Sequence, residues 1–173
     1  MATITITREE LLALKPCNER RDAALSGINW GACASVDAAA ARAAGVPFSD
    51  VLWVASALAQ RDADVGRRVR LFVADCAARV LCLYEASPGA TTAPRGAIVA
   101  ARRFARGEIE AAARAAARAA AWDAAWDAVR AAAKDAAWAA EESWQFDRLI
   151  ARLSADEPED WPLPALPERI RAE

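Results

Sequence analysis

The sequence predicts an all-α protein, a multi-helix bundle built on one long C-terminal helix rich in alanine and tryptophan, with an extended Pro-rich tail. Three observations carry this expectation. Between Gly107 and Pro158 there is neither glycine nor proline, and alanine, arginine, glutamate, leucine and tryptophan predominate, a strongly helix-favouring mixture. The chain is 55% hydrophobic but only 7% aromatic because alanine dominates, so small-residue helices must approach closely, with tryptophans filling the gaps. The seven glycines are scattered as caps and turns and form no phosphate loop.

From the N-terminus, Thr3-Ile4-Thr5-Ile6 alternates like a strand but has no evident partner and reads as a lead-in. Thr7-Arg8-Glu9-Glu10 is a capping box that opens a helix to Leu14, stopped at Pro16. A second helix is expected over Cys17–Leu25, ended by Ser26-Gly27. Ile28–Ala34 reads as a loop, after which Ser35 and Asp37 open an alanine-rich helix that Gly45 and Pro47 close. Ser49 or Asp50 then caps a short helix, Val51–Ala59.

Val65–Glu85 is the expected core helix. Arg68, Asp75 and Arg79 line up within about 40° while most of the remaining circumference is apolar, and Asp75 and Arg79 stand one turn apart, spaced to pair. Ser87–Ala93 is a connector; Pro94 suits the first turn of a helix to Arg106, and Gly107 suits a left-handed cap.

The long helix is expected over Glu108–Ser154. At about 100° per residue Trp122, Trp126, Val129, Ala133 and Trp144 share an apolar edge, Leu149 and Leu153 lie on another side, and Arg130, Lys134, Glu141, Arg148 and Arg152 form a solvent edge. Trp138 falls on the polar side, covered by a neighbour, stacked under Lys134 or serving as a partner-facing anchor. Such a rod is about 70 Å long, whereas a compact chain of this size is about 40 Å across. The rod therefore breaks, or makes the molecule elongated, or packs against a second copy as a homodimer; the last two are the expectation. Ala155–Pro167, with Asp156, Glu157, Glu159, Asp160, Trp161 and four prolines, is an extended tail. The expected organisation is one helical domain, 1–154, and an acidic tail, 155–173.

The absence of histidine removes Ser-His-Asp and Cys-His catalysis and histidine metal ligation. Cys17, Cys33, Cys76 and Cys82 lie in no CxxC pair and are expected as reduced, buried small hydrophobes of a cytoplasmic protein. Neither a metal nor a cofactor is expected. The charge of -2, with both signs interspersed, argues against a general nucleic-acid binder. Asp75 and Arg79 interrupt the apolar run Leu71–Tyr84, so no membrane span is expected. Asp123 and Asp127 read as solubility charges.

The chain resembles the Imm-five-like family of alanine-rich helical immunity proteins of bacterial and phage genomes. The matching residues are Leu11-Leu12 followed by Cys17, Asp50-Val51-Leu52-Trp53, Arg68–Ala77 as RVRLFVADCA, and Pro94–Glu108 as PRGAIVAARRFARGE, followed by the alanine and tryptophan rod. The tail lies outside the resemblance. What the resemblance implies is an all-helical bundle without catalytic residues, acting in a conflict system as an immunity protein or an anti-defence inhibitor.

One constellation bears on ligand chemistry, the basic run Arg95, Arg102, Arg103, Arg106, Arg114 and Arg118 with Trp122 one turn further on. Arginine forks near a helix N-terminus with an indole for stacking would suit a nucleotide. Alternatively Glu110 and Arg114 pair along the helix and the remaining arginines form a solvated face or dock the acidic tail. The expectation is a non-enzymatic protein that neutralises a partner protein, a toxin or defence effector, through the rod and the Trp161 tail. A sponge that sequesters a nucleotide immune signal is the alternative. The candidate binding residues are Arg102, Arg103, Arg106, Arg114, Arg118, Trp122, Trp138 and Trp161.

Overall fold

The computed structural model describes residues 2–17, 27–86, 89–110 and 135–168, with residues 135–139 as backbone. Its elements in chain order are β1 (Thr5–Thr7), α1 (Arg8–Ala13), β2 (Ser35–Asp37), α2 (Ala38–Ala43), α3 (Phe48–Leu58), α4 (Ala63–Glu85), α5 (Ala93–Ala105) and α6 (Asp135–Leu153). The fold is therefore mostly helical, with one small sheet. The all-α expectation is corrected at β1 and β2, which pair antiparallel with Ile6 opposite Val36. Thr3–Ile6 lacked a visible partner because the partner is only three residues long and lies about 30 positions away.

Thr7 is both the end of β1 and the cap of α1: its hydroxyl accepts from the Glu10 N–H at 3.2 Å, and its own N–H donates to the Glu10 carboxylate at 2.8 Å. This is the capping box read from the sequence. Asp37 likewise ends β2 and caps α2 by accepting from the Ala40 N–H at 2.8 Å. Helix α3 starts three residues before the expected Val51, with Pro47 at its cap and no side-chain cap bond. Ser49 and Asp50 are thus first-turn residues, where an acidic side chain favours the helix dipole.

Two glycines stop helices in the left-handed region, Gly45 at φ 80° and Gly107 at φ 74°. Each completes a double closure. After α2, the Gly45 N–H donates to Arg42 and the Val46 N–H to Ala41; after α5, the Gly107 N–H donates to Phe104 and the Glu108 N–H to Arg103. The second closure corrects the expected start of the long helix, because Glu108 finishes the preceding helix and Glu108–Glu110 are not helical. The middle of the expected rod, with Arg114, Arg118, Trp122, Asp123, Trp126, Asp127, Val129, Arg130, Ala133 and Lys134, lies outside the described residues, as does the side chain of Trp138. The helix expected over Cys17–Leu25 does too, apart from a non-helical Cys17.

The chain divides into two compact units, Met1–Val69 with Phe146–Pro158, and Arg70–Gln145 with Glu159–Glu173. Val36, Val46, Val51, Ala55, Leu149 and Leu153 are buried in the first, where Phe48 and Phe146 pack at 5.5 Å between ring centroids. Ala74, Ala78, Leu81 and Ile98 form the core of the second, with Tyr84, Ala101, Trp161 and Leu163 packed on it. No described helix is long and apolar enough to cross a membrane. The expectation of buried cysteines is corrected: Cys17 and Cys82 are exposed, and Cys33 and Cys76 half-buried.

Candidate functional site

On the second unit, arginines of α5 and the facing side of α4 grip the extended segment after Glu159. Asp75 of α4 is fully buried, so its charge needs partners. Its Oδ1 accepts from Arg102 Nη2 at 3.1 Å and from the Trp161 N–H at 2.8 Å. Arg102 also donates to the Trp161 carbonyl. Arg106, one turn later at the C-terminal cap of α5, donates to the Asp160 carboxylate, which stands 3.4 Å from Arg102 Nε. That is ion-pair distance, yet the buried Nε makes no aligned hydrogen bond to it. Arg95, at the start of α5, forks onto Glu85 at 2.9 and 2.8 Å and donates to the Pro164 carbonyl at 2.8 Å.

The Trp161 indole meets Trp144 of α6 edge to face, 4.9 Å between centroids at 79°. The Arg79 guanidinium lies 4.3 Å from the Trp144 ring and 5.6 Å from that of Trp161. Arg79 is held there by Glu141 at 2.8 Å. The pairing expected between Asp75 and Arg79 gives way to these cross-element partners. Arg103 points outward and pairs with Glu108 at 3.4 Å, both half exposed, a surface pair of little energetic weight.

On the first unit, Arg68 of α4 is fully buried. It donates to the carbonyls of Ser154 at 2.6 Å, Ala2 at 3.2 Å and Arg152 at 3.3 Å, and its Nε to Asp64 at 2.8 Å. Arg152 was expected on the solvent edge, and this is corrected: it is buried because it pairs with Glu157 at 3.0 Å and caps the Pro158 carbonyl at 2.9 Å. Glu141, expected on that edge as well, is held by Arg79. Glu157 also takes a two-pronged bond from Arg67, at 3.1 and 2.7 Å. Burial pushes the Glu157 carboxyl up, but the hydrogen bonds and charges of Arg67 and Arg152 outweigh it and leave the group below its ordinary value. Asp64 is likewise held down by Arg67 and Arg68 against the effect of burial.

The first unit also holds an apolar cavity of about 70 Å³ with Trp30, Trp53, Ile4, Ile6, Val54 and Leu58 in its wall. Among the described residues no cluster of acidic and cysteine side chains is arranged to hold a metal ion.

Of the sequence-derived candidates, the structure brings together Arg102, Arg106 and Trp161 and leaves Arg103 at the rim. Arg114, Arg118 and Trp122 lie outside the described residues, and Trp138 is placed by its backbone alone. The sequence reading missed Asp75 and Trp144 as members of this constellation. A usable signal existed, since an acidic tail carrying a tryptophan complements a basic run of arginines. No protein-family model, curated protein or solved structure matches the chain.

Proposed function

We propose that this is a non-catalytic interaction protein of a bacterial or phage conflict system, an immunity protein or anti-defence inhibitor that neutralises a partner protein by binding it. The observation that carries this reading is the way the second unit handles an extended segment. It reads main chain through Asp75, Arg95 and Arg102, and side chains through Arg102 and Arg106 on a carboxylate and Trp144 and Arg79 on an indole. Simultaneous reading of backbone and successive side chains is the chemistry of protein recognition. It also bears on the nucleotide-sponge reading, because Arg102, Arg103 and Arg106, among the arginines proposed for phosphate, already face carboxylates of their own chain. The resemblance to the Imm-five-like family supports the same role.

Native mass spectrometry of the protein purified from bacterial cells with an active nucleotide-signalling defence tests this. A protein bound in fixed stoichiometry, with no small adduct, is the expected result. A nucleotide-mass adduct that disappears in Arg102→Glu/Arg106→Glu, with the helical circular dichroism intact, would instead establish the sponge.

A further inference from the structure

We infer that the groove on the second unit is a peptide-binding site whose ligand in trans is an extended, acidic, tryptophan-bearing segment of the partner protein, which takes the place of the chain's own Asp160–Pro164. The inference rests on the reading of the protein as an interaction protein, and it names the chemistry of the partner. The chain displays that chemistry itself. Residues 155–167 form neither helix nor strand, so the segment is held by the groove and not by its own hydrogen bonding. Its main chain is fixed at Trp161 by Asp75 and Arg102 and at Pro164 by Arg95. Its side chains enter three receptors in succession: the Arg102 and Arg106 guanidiniums for Asp160, the Trp144 ring with Arg79 for Trp161, and the apolar cluster around Ala74 and Leu81 for Leu163. Pro162 and Pro164 stiffen the segment in an extended form and lower the entropy lost on docking.

The grip is uneven in a way that suits exchange. Its inner half, at Asp75, is fully buried, whereas the Asp160 end is open: the Arg106 side chain is 42% exposed and that of Asp160 22%. Arg102 Nε, buried beside Asp160 without an aligned acceptor, leaves one donor for a better-placed carboxylate. A groove that keeps a buried acceptor for a main-chain N–H and a positive rim for an acid selects an Asp-Trp pair by chemistry. A basic segment carries the wrong charge for this rim, and a segment without an indole leaves the receptor at Trp144 and Arg79 unfilled. Because the chain's own segment is tethered, it competes at an effective concentration on the order of millimolar, so a free segment binds the intact protein weakly until the tethered one is weakened.

The test is fluorescence anisotropy with a labelled peptide of the sequence Asp156–Pro167. It is titrated into the full-length protein and into full-length Asp160→Ala/Trp161→Ala, with a scrambled peptide as control. Saturable binding to the variant, about tenfold or more tighter than to the wild type and lost when Arg102→Glu is added, is expected. A folded variant that does not bind the peptide overturns the inference. Should the variant fail to fold, hydrogen exchange on the wild type decides: the Trp161 amide must exchange faster than the amides of Ala74 and Ala78, and exchange only by global unfolding makes the segment a fixed part of the core and overturns the inference. A protein partner found by native mass spectrometry together with no peptide binding removes this inference alone; a nucleotide adduct removes the reading beneath it.

Discussion

Arg68 in the first unit and Arg102 in the second are both buried arginines on helices, and both hold chain that follows Leu153, yet they hold it differently. Arg68 donates to three main-chain carbonyls, two of them at the end of α6, where helix carbonyls lack intrahelical partners. Arg102 divides itself between a buried carboxylate, one carbonyl and an imperfectly aligned acid at the rim. The first arrangement satisfies groups that would otherwise be orphaned and so is structural. The second holds a buried carboxylate from within but meets the segment through one main-chain carbonyl and a partly exposed acid, contacts that water or another chain can replace, and this side of it is open to exchange.

Breaking the first arrangement should have the largest effect. Arg68→Met removes the donor from the buried Arg152 carbonyl and the half-buried Ser154 carbonyl and unpairs Asp64, and is expected to destabilise by about 3–5 kcal/mol, read as a fall in the urea midpoint. Trp161→Ala removes a half-buried ring from Trp144 and should cost about 2–3 kcal/mol. If the comparison holds, little of that loss reaches the first unit, so hydrogen exchange of Leu149 and Leu153 should change less than that of Ala78. Equal change in both would break it.

The capping box and the glycine closures were legible because they are local: Thr7 with Glu10, Gly45 and Gly107 each involve residues within a few positions, as does Pro94 in the first turn of α5. The helical wheel failed where partners are remote. It placed Arg152 in solvent and paired Asp75 with Arg79, since it registers only neighbours on one helix. Glu157 lies in a tail that the wheel does not cover, and Arg102 lies on another helix. The acidity of the tail and the basicity of α5 were both visible; which arginine meets which acid depends on packing.

A smaller effect sharpens the comparison through pH. The Glu157 carboxyl is held below its ordinary value by Arg67 and Arg152, so the stability it contributes is complete above the unfolded glutamate pKa of about 4.3 and is lost as pH falls through the depressed folded value. Asp64 acts in the same direction. Glu157→Gln should cost about 2 kcal/mol at neutral pH and flatten the acid limb of a stability profile recorded between about pH 6 and pH 3. An unchanged acid limb would show that the pairing contributes nothing. Smallest of all, Arg103→Glu loses only an exposed pair and should change stability by less than about 0.5 kcal/mol.

The bonds that tie the start of the chain to the end of α6 also set an order of assembly. The Ile4 N–H donates to Leu153 at 2.8 Å, and the Ala155 N–H donates to the Thr3 hydroxyl across 152 positions. β1 can pair with β2 once residue 37 is available, but the contacts of Thr3 and Ile4 must wait until residue 155 has been made. Contacts of such separation slow folding, and a chain stopped before Leu153 lacks the closing piece of the first unit.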